Sequence, residues 1–260
     1  MLLFLIALLS SVIGAVCGIG GGVIIKPVLD LLGVASVATI SFLSSCTVFS
    51  MSLYNVGRSL ASRSGSGSID TATGTPLALG AALGGVCGNL LFAAVRNSIG
   101  GSVAGAAQSL CLLLLTLGTF AYTLKKDKIH ARQESNPLVC VVIGLLLGLL
   151  SSFLGIGGGP FNLVVLHYFF SMDTKKAAAN SLYIILFSQA ANLLFSLVGG
   201  TIPAFEPSAL LLMVCGGVGG GILGRMLSKR MDDRMVDKLF LVLLLLISLI
   251  CVYNAVNFIR

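Results

Sequence analysis

The chain has 260 residues, of which 57% are hydrophobic and only 10% are charged. Soluble domains are about a quarter charged, so this composition excludes a soluble protein and predicts an integral membrane protein. The net charge of +7 comes from lysines and arginines at the ends of apolar segments. That placement fits membrane topology and argues against a nucleic-acid-binding surface.

The first half of the chain, residues 1–130, begins with the apolar segment 1–34. The sequence GIGGG interrupts this segment at positions 18–22. Three apolar helices are predicted to follow it, at about 37–60, 76–95 and 102–124. Each approaches the roughly 20 residues that a bilayer span needs.

The second half, residues 131–260, repeats this organisation. GIGGG recurs at 155–159 inside the apolar segment 137–171, and helices are predicted at about 176–198, 208–227 and 236–259. At a fixed offset of 137, the matching pairs include Leu8 with Leu145, Ser44 with Ser181, and Asn55 with Asn192. We therefore predict two repeats within one integral transmembrane domain.

The distribution of Lys and Arg predicts whether each GIGGG segment crosses the membrane or returns to the side it entered from. If both segments cross, the basic residues divide into seven and nine, which gives no orientation. If both return as hairpins, one side keeps Arg96 and Arg260, and thirteen residues lie on the other: Arg58, Arg63, Lys125, Lys126, Lys128, Arg132, Lys175, Lys176, Arg225, Lys229, Arg230, Arg234 and Lys238. Such an excess marks the inside, so we predict hairpins, with both termini outside.

With three spans per half, the second repeat enters the membrane upside down. The predicted fold class is therefore all-α: a polytopic membrane protein with two inverted-topology repeats, each a re-entrant helical hairpin plus three transmembrane helices.

The two GIGGG tips are the predicted anion site. Irregular backbone at membrane depth is tolerated where protein buries it or where it lines a polar cavity. Each tip precedes a half-helix, whose free N–H groups and positive dipole end favour a negative ligand. Broken helices in inverted repeats form midplane sites in many transporters. The predicted substrate-binding residues are Gly18, Ile19, Gly20, Gly21, Gly22, Gly155, Ile156, Gly157, Gly158, Gly159, Ser44, Asn55, Asn180, Ser181, Asn192 and Lys26.

Packing explanations stay open for several of these residues. The side chains of Asn55 and Asn192 either line the site or form hydrogen bonds between helices. Lys26 either balances the charge of the anion or pairs with Asp30, one turn further along the same helix. Glycines at four-residue spacing are predicted to serve close helix packing: Gly80, Gly84 and Gly88, and Gly216, Gly220 and Gly224.

The two hairpin sequences, GIGGGVIIKPVLDLLGV and LGIGGGPFNLVVLHYFF, with AAANS after the second, resemble the TauE/SafE sulfite-exporter family. This family of permeases is also called the 4-toluene sulfonate uptake permease family. The resemblance covers nearly the whole chain. It implies transport of sulfite, sulfoacetate or a related sulfur-containing organic anion.

We therefore expect a multi-pass secondary transporter of the inner or plasma membrane, with a small inorganic or organic sulfur anion as substrate and membrane lipid around it. The alternative is an anion channel, or a transporter of another small oxyanion or carboxylate. The sequence contains no HExxH or GxSxG motif and only two histidines. No enzyme activity, catalytic residue, metal or cofactor is expected.

Overall fold

A computed structural model describes residues 1–61, 68–129, 131–134 and 136–259 of the chain. The described residues form ten α-helices and one 3-10 turn, and no strand. The first half contains α1 (Leu2–Cys17), α2 (Gly22–Leu32), α3 (Val37–Ala61), α4 (Thr71–Ile99) and α5 (Gly101–Lys125). The second half contains α6 (Pro137–Phe153), α7 (Phe161–Phe170), α8 (Thr174–Val198), α9 (Pro207–Ser228) and α10 (Asp233–Ile259). The prediction of an all-α fold is confirmed.

Helix length separates spanning from non-spanning helices. Among the described helices, α3, α4, α5, α8, α9 and α10 are long and apolar enough to cross a membrane, and the shortest has 22 residues. At 1.5 Å per residue that helix is about 33 Å long, which exceeds a hydrocarbon core of about 30 Å. In contrast, α1 and α6 have 16 and 17 residues, and α2 and α7 have 11 and 10. The protein is therefore a multi-pass membrane protein.

The glycine tips that join α1 to α2 and α6 to α7 have the same backbone conformation. Gly18 and Gly155 have φ values of 72° and 65°, and Gly20 and Gly157 have φ values of 72° and 69°. These left-handed values suit glycine, which has no Cβ. Equivalent positions of the two halves thus break their helices in the same way.

Glycines on α4 and α9 allow close approach of the first helix of the other half. A Cβ on Gly84 would strike the carbonyl oxygen of Leu145 in α6, and a Cβ on Gly220 would strike that of Leu8 in α1. Leu8 and Leu145 are equivalent positions, so this is one contact repeated with the halves exchanged. The predicted packing role is confirmed for both rows, whose other members meet α6 or α1 in the same way: Gly80, Gly88, Gly216 and Gly224.

Helix α4 begins at Thr71, before the apolar run that predicts a start at about residue 76. Asp70 is its N-cap, and the Asp70 side chain accepts a hydrogen bond from the Thr73 amide at 3.4 Å. This cap starts the helix in the polar loop, and Pro76 lies inside it. A capping residue outside the apolar run therefore lengthens the helix by more than one turn.

Polar contacts join helix ends that carry Lys and Arg, and these ends lie on one face of the protein, which we call the basic face. Lys176 of α8 pairs with Asp70 at 3.5 Å, and Lys126, after α5, pairs with Asp237 of α10. Arg225 at the end of α9 donates to a main-chain carbonyl at the end of α3 at 3.2 Å. On the opposite face, α4 meets α5 and α8 leads into α9. Of the residues in the charge count, Arg63 and Arg260 lie outside the described part of the chain.

Candidate functional site

The two GIGGG tips contact each other inside the protein. A Cβ on Gly22 would strike the carbonyl oxygen of Ile156, and a Cβ on Gly158 would lie 2.9 Å from the carbonyl oxygen of Ile19. All the tip residues, Gly18 to Gly22 and Gly155 to Gly159, are buried. The structure therefore brings together ten of the predicted site residues.

Backbone donors at the tips remain unpaired. Within the described chain, no backbone hydrogen bond is made by the amides of Gly20, Gly21, Gly22, Gly157, Gly158 and Gly159. The amide of Ile19, by contrast, donates to the Gly14 carbonyl at 3.1 Å. The hydroxyls of Ser11 and Ser44 lie beside the first tip, buried and without a partner among the described residues. Unpaired buried donors of this kind are suited to an oxyanion.

A cavity of about 230 Å³ extends from the opposite face to the second tip. Ser152 and Gly155 form its inner end, and Thr201 and Pro203 lie at its outer end. Its walls belong to α3, α4 and α8, and their polar lining residues are Ser41, Ser45, Asn89, Arg96, Asn97, Asn192 and Ser196. Of the predicted site residues, Gly155 and Asn192 line this cavity, which we call the anion cavity.

The polar groups of the anion cavity are only partly paired with one another. The Asn192 amide donates to the Ser152 hydroxyl at 3.2 Å. The other amide atom, Asn192 Oδ1, and the Ser41 hydroxyl are buried without a partner among the described residues. Arg96 is the one charged residue of the lining, and none of the ion pairs in the described chain involves it. The cavity thus offers hydroxyls, amides and a free positive charge.

Polar side chains on α8 continue from the anion cavity toward the tips. Ser188 and Gln189 lie one turn before Asn192, and their side-chain polar atoms are buried without partners in the described part of the protein. Ile185, one turn further, lies 3.6 Å from the position of a Cβ on Gly20. Unpaired polar groups therefore extend from the cavity as far as Ser188, and the apolar Ile185 lies between them and the tips.

The contact that closes the inner end of the anion cavity has a counterpart at the first tip. Gly18 packs on Ala178, and a Cβ on Gly18 would lie 2.5 Å from the Ala178 Cβ. By the offset of the repeat, Gly18 corresponds to Gly155 and Ala178 corresponds to Ser41. A Cβ on Gly155 would likewise strike the Ser41 hydroxyl. The same contact is present twice, but only the Gly155 copy borders the anion cavity.

An ion-pair network lies across the helices at the basic face. Lys126 pairs with Asp237 and donates to the Thr174 hydroxyl at 3.0 Å, and that hydroxyl donates to Asp237 at 3.0 Å. Tyr122 and His167 form a hydrogen bond of 2.9 Å beside it. All five residues line a pocket of only about 30 Å³. This network, which we call the Lys126 network, joins α5, α8 and α10 at the basic face.

Three predicted residues make helix contacts away from the anion cavity. Asn55 donates to a carbonyl one turn earlier in α3 at 2.9 Å. Asn180 accepts from the Asp70 amide at 3.0 Å, and Ser181 accepts from Asn162 of α7 at 3.3 Å. The bonds of Asn180 and Ser181 hold α8 to the start of α4 and to α7, whereas the Asn55 bond lies within α3.

Lys26 is paired with Asp30. Its ammonium donates to the Asp30 carboxylate at 2.7 Å, and the two side chains are 4% and 3% exposed. Of the two alternatives that the sequence left open, the ion pair is the one present in this conformation.

Sequence reasoning missed several lining residues: Ser41, Ser45, Asn89, Arg96 and Ser152. Arg96 was assigned to membrane topology alone. The sequence did offer one signal for Arg96: in the predicted topology, Arg260 is the only other basic residue on the same side.

The family model for the sulfite exporter TauE/SafE matches residues 3–250 of the chain. No curated protein and no solved structure matches the chain. Within the described residues, no group of His, Cys, Asp or Glu side chains is arranged to hold a metal ion.

Proposed function

The chain belongs to the sulfite exporter TauE/SafE family, whose members are membrane transporters rather than enzymes, and on this premise we propose that it carries a small sulfur-containing anion by alternating access. Sulfite and organosulfonates are the substrate class. The observation that carries the proposal is the anion cavity, which ends at Gly155, the first residue of the second GIGGG.

The route begins at Arg96, whose free guanidinium attracts the anion into the cavity. The anion then exchanges water for the hydroxyls and amides of the walls, including Ser41 and Asn192. Ser188 and Gln189 continue this lining toward the tips. At the centre, the unpaired amides of the tips supply several N–H donors and the positive ends of α2 and α7. Because backbone donors recognise charge and shape, this site suits a tetrahedral or pyramidal oxyanion.

A carrier needs the site to be open to one side at a time. In this structure the anion cavity reaches the opposite face, and at the centre the two tips pack directly on each other, where Gly22 meets the Ile156 carbonyl. This contact favours a carrier over an anion channel, whose pore would be continuous. Two inverted repeats would supply the second state, in which the two halves exchange conformations. The excess of Lys and Arg supports an orientation with both termini outside, in a cell membrane.

The test is transport by purified protein in sealed proteoliposomes. Radiolabelled sulfite, sulfoacetate and 4-toluenesulfonate are supplied separately, and empty liposomes give the background. We expect saturable uptake of at least one of these anions and acceleration by the same unlabelled anion inside the vesicle, because exchange through a carrier needs no net flux. Absence of saturable flux of all three anions with folded protein overturns the proposal. Single-channel currents at rates far above carrier turnover would establish a channel instead.

A further inference from the structure

A second group of buried polar side chains lies outside the anion cavity. Lys26 and Asp30 of α2, Gln108 of α5 and Asn254 of α10 line a small cavity of about 10 Å³. The Lys26 and Asp30 side chains are 4% and 3% exposed, and Gln108 and Asn254 are each 2% exposed. We call these four residues the Lys26 cluster. Polar groups buried in membrane helices are costly to keep, which marks the cluster for a function.

Hydrogen bonds fix the orientation of the two amides in the cluster. Gln108 Nε2 donates to the Phe153 carbonyl at 2.5 Å, and Asn254 Nδ2 donates to the Pro27 carbonyl at 2.9 Å. Because a carbonyl oxygen only accepts, the nitrogen and oxygen ends of each amide are determined. Gln108 Oε1, Asn254 Oδ1 and Asp30 Oδ1 remain buried without a partner among the described residues. Three unpaired acceptors require a hydrogen donor.

The size and charge of the small cavity indicate which donor it takes. A volume of about 10 Å³ is no more than one water molecule needs. A metal cation would require several oxygen ligands and would compete with the Lys26 ammonium for Asp30. A proton needs no space, binds the carboxylate itself and turns Asp30 into an O–H donor for a free amide oxygen. The cluster is therefore built for a proton.

Lys26 also reaches the inner end of the anion cavity. Its Cε lies 3.2 Å from the position of a Cβ on Gly155. Leu154 lines the small cavity and Gly155 lines the anion cavity, so one peptide group separates them. The flexible stem of a lysine allows its ammonium to turn. An anion at Gly155 is thus within reach of the charge that Asp30 now neutralises.

We propose that Asp30 and Lys26 couple the anion to one proton. This inference rests on the proposed function, since it requires an anion at the second tip. The Asp30 carboxylate takes a proton from water at the opposite face and donates the new O–H to Gln108 Oε1 or Asn254 Oδ1. The Lys26 ammonium, released from Asp30, pairs with the anion. The negative charge that Asp30 loses equals the charge that a monoanion brings in, so the site stays neutral.

The groups around Asp30 leave it as the titrating site at acidic pH. From the elements that line its cavity they are Lys26, Gln108, Ser109, Cys251 and Asn254. Helices α1 and α3 also pack on α2, and their titratable or charged side chains are Cys17, Cys46, Tyr54 and Arg58. Thiols, phenols, ammonium and guanidinium groups ordinarily stay protonated below a pH of about 7. Proton uptake in this range therefore belongs to the carboxylate.

The test compares gradients of pH and voltage across wild-type proteoliposomes, with 4-toluenesulfonate and sulfite as parallel probes. The sulfonate keeps its charge across the pH range, so its response reports on the protein. With the side of the anion cavity one pH unit more acidic, we expect about tenfold accumulation of the sulfonate, the ratio set by one proton per anion. A clamped membrane potential should not change this ratio. Accumulation that follows voltage and ignores pH overturns the coupling.

Variants separate the coupling from transport itself. Asp30→Asn mimics the protonated acid, so it should keep exchange of the labelled anion but lose accumulation driven by the pH gradient. Asp30→Glu should keep both, and Glu206→Gln, which changes an exposed acid before α9, serves as the matched control. An Asp30→Asn variant that still accumulates the sulfonate tenfold overturns the proposal. If Asp30→Asn does not fold, the wild-type gradient experiment decides alone. Absence of any anion exchange by wild-type protein instead refutes the proposed function.

Discussion

Arg96 lies in the last turn of α4 and lines the anion cavity without an acidic partner in the described chain. A guanidinium presents paired N–H donors that match two oxygens of a sulfonate or sulfite. We predict that Arg96→Gln raises the KM for anion uptake about ten- to a hundredfold, since hydrogen bonds to charged groups contribute about 1.5–3 kcal/mol. Initial uptake rates in proteoliposomes over a range of anion concentrations measure this change.

The matched control is Arg96→Lys, which keeps the positive charge but loses the paired donors. It should raise KM less than Arg96→Gln does. If Arg96→Gln transports the anion with the KM of the wild type, then this end of the cavity is not on the transport route.

At this scale the sequence predicted the glycine tips but not the cavity lining. Three consecutive glycines have no place in a regular helix, so the breaks at both tips could be recognised directly. The serines of α3 gave no such signal. Ser41, Ser44 and Ser45 are close together in the sequence, and the rotation of α3 against its neighbours decides which of them faces the cavity. An apolar helix with polar residues on several sides does not encode that rotation.

Among the helices, the neighbours Gly219 and Gly220 of α9 offer a direct test of close packing. A Cβ on Gly220 would lie 2.6 Å from the Ser11 Cβ of α1, whereas one on Gly219 would meet only the Leu8 side chain at 3.6 Å. Alanine improves helix propensity at both positions by about 1 kcal/mol. We predict that Gly220→Ala lowers the melting temperature in detergent, because overpacking typically costs about 1–3 kcal/mol. Gly219→Ala should leave the melting temperature unchanged or raise it.

Equal melting temperatures of these two alanine variants would contradict the prediction. They would mean that α1 and α9 shift apart at no cost, and that the glycines do not set their distance.

The sequence predicted the helices better than it predicted their partners. Apolar runs gave the six spans and the short hairpin helices, because length alone separates them. The bounds of α4 differ most: it starts at Thr71 and not at about 76, since the Asp70 cap lies outside the apolar run, and it ends at Ile99 and not at about 95. The pairing of α1 with α9 and of α4 with α6 was not predictable. A row of glycines indicates that some helix packs closely, but it carries no information on which one.

For the whole molecule, the repeat predicts two similar halves but not the side to which the anion cavity opens. Ser41 and Ala178 occupy equivalent positions, and each packs on the first glycine of a tip in the other half. The anion cavity borders only the Ser41 contact. A transporter needs both arrangements at nearly equal free energy, so small differences between the halves decide which one is populated. A pattern shared by both halves cannot encode that difference.

Cysteine labelling on the two sides tests this one-sided access, with wild-type labelling subtracted. Ala93 lines the anion cavity, whereas Ala177 lines the small pocket behind the Lys126 network and is 2% exposed. We predict that a membrane-impermeant thiol reagent outside intact cells modifies Ala93→Cys, because the excess of basic residues orients the cavity outward. Ala177→Cys should stay unmodified from either side until Lys126→Ala removes the network that covers it. Modification of Ala93→Cys only in inside-out vesicles would reverse the orientation. Rapid modification of both cysteines in otherwise unchanged protein would replace the carrier with a continuous pore.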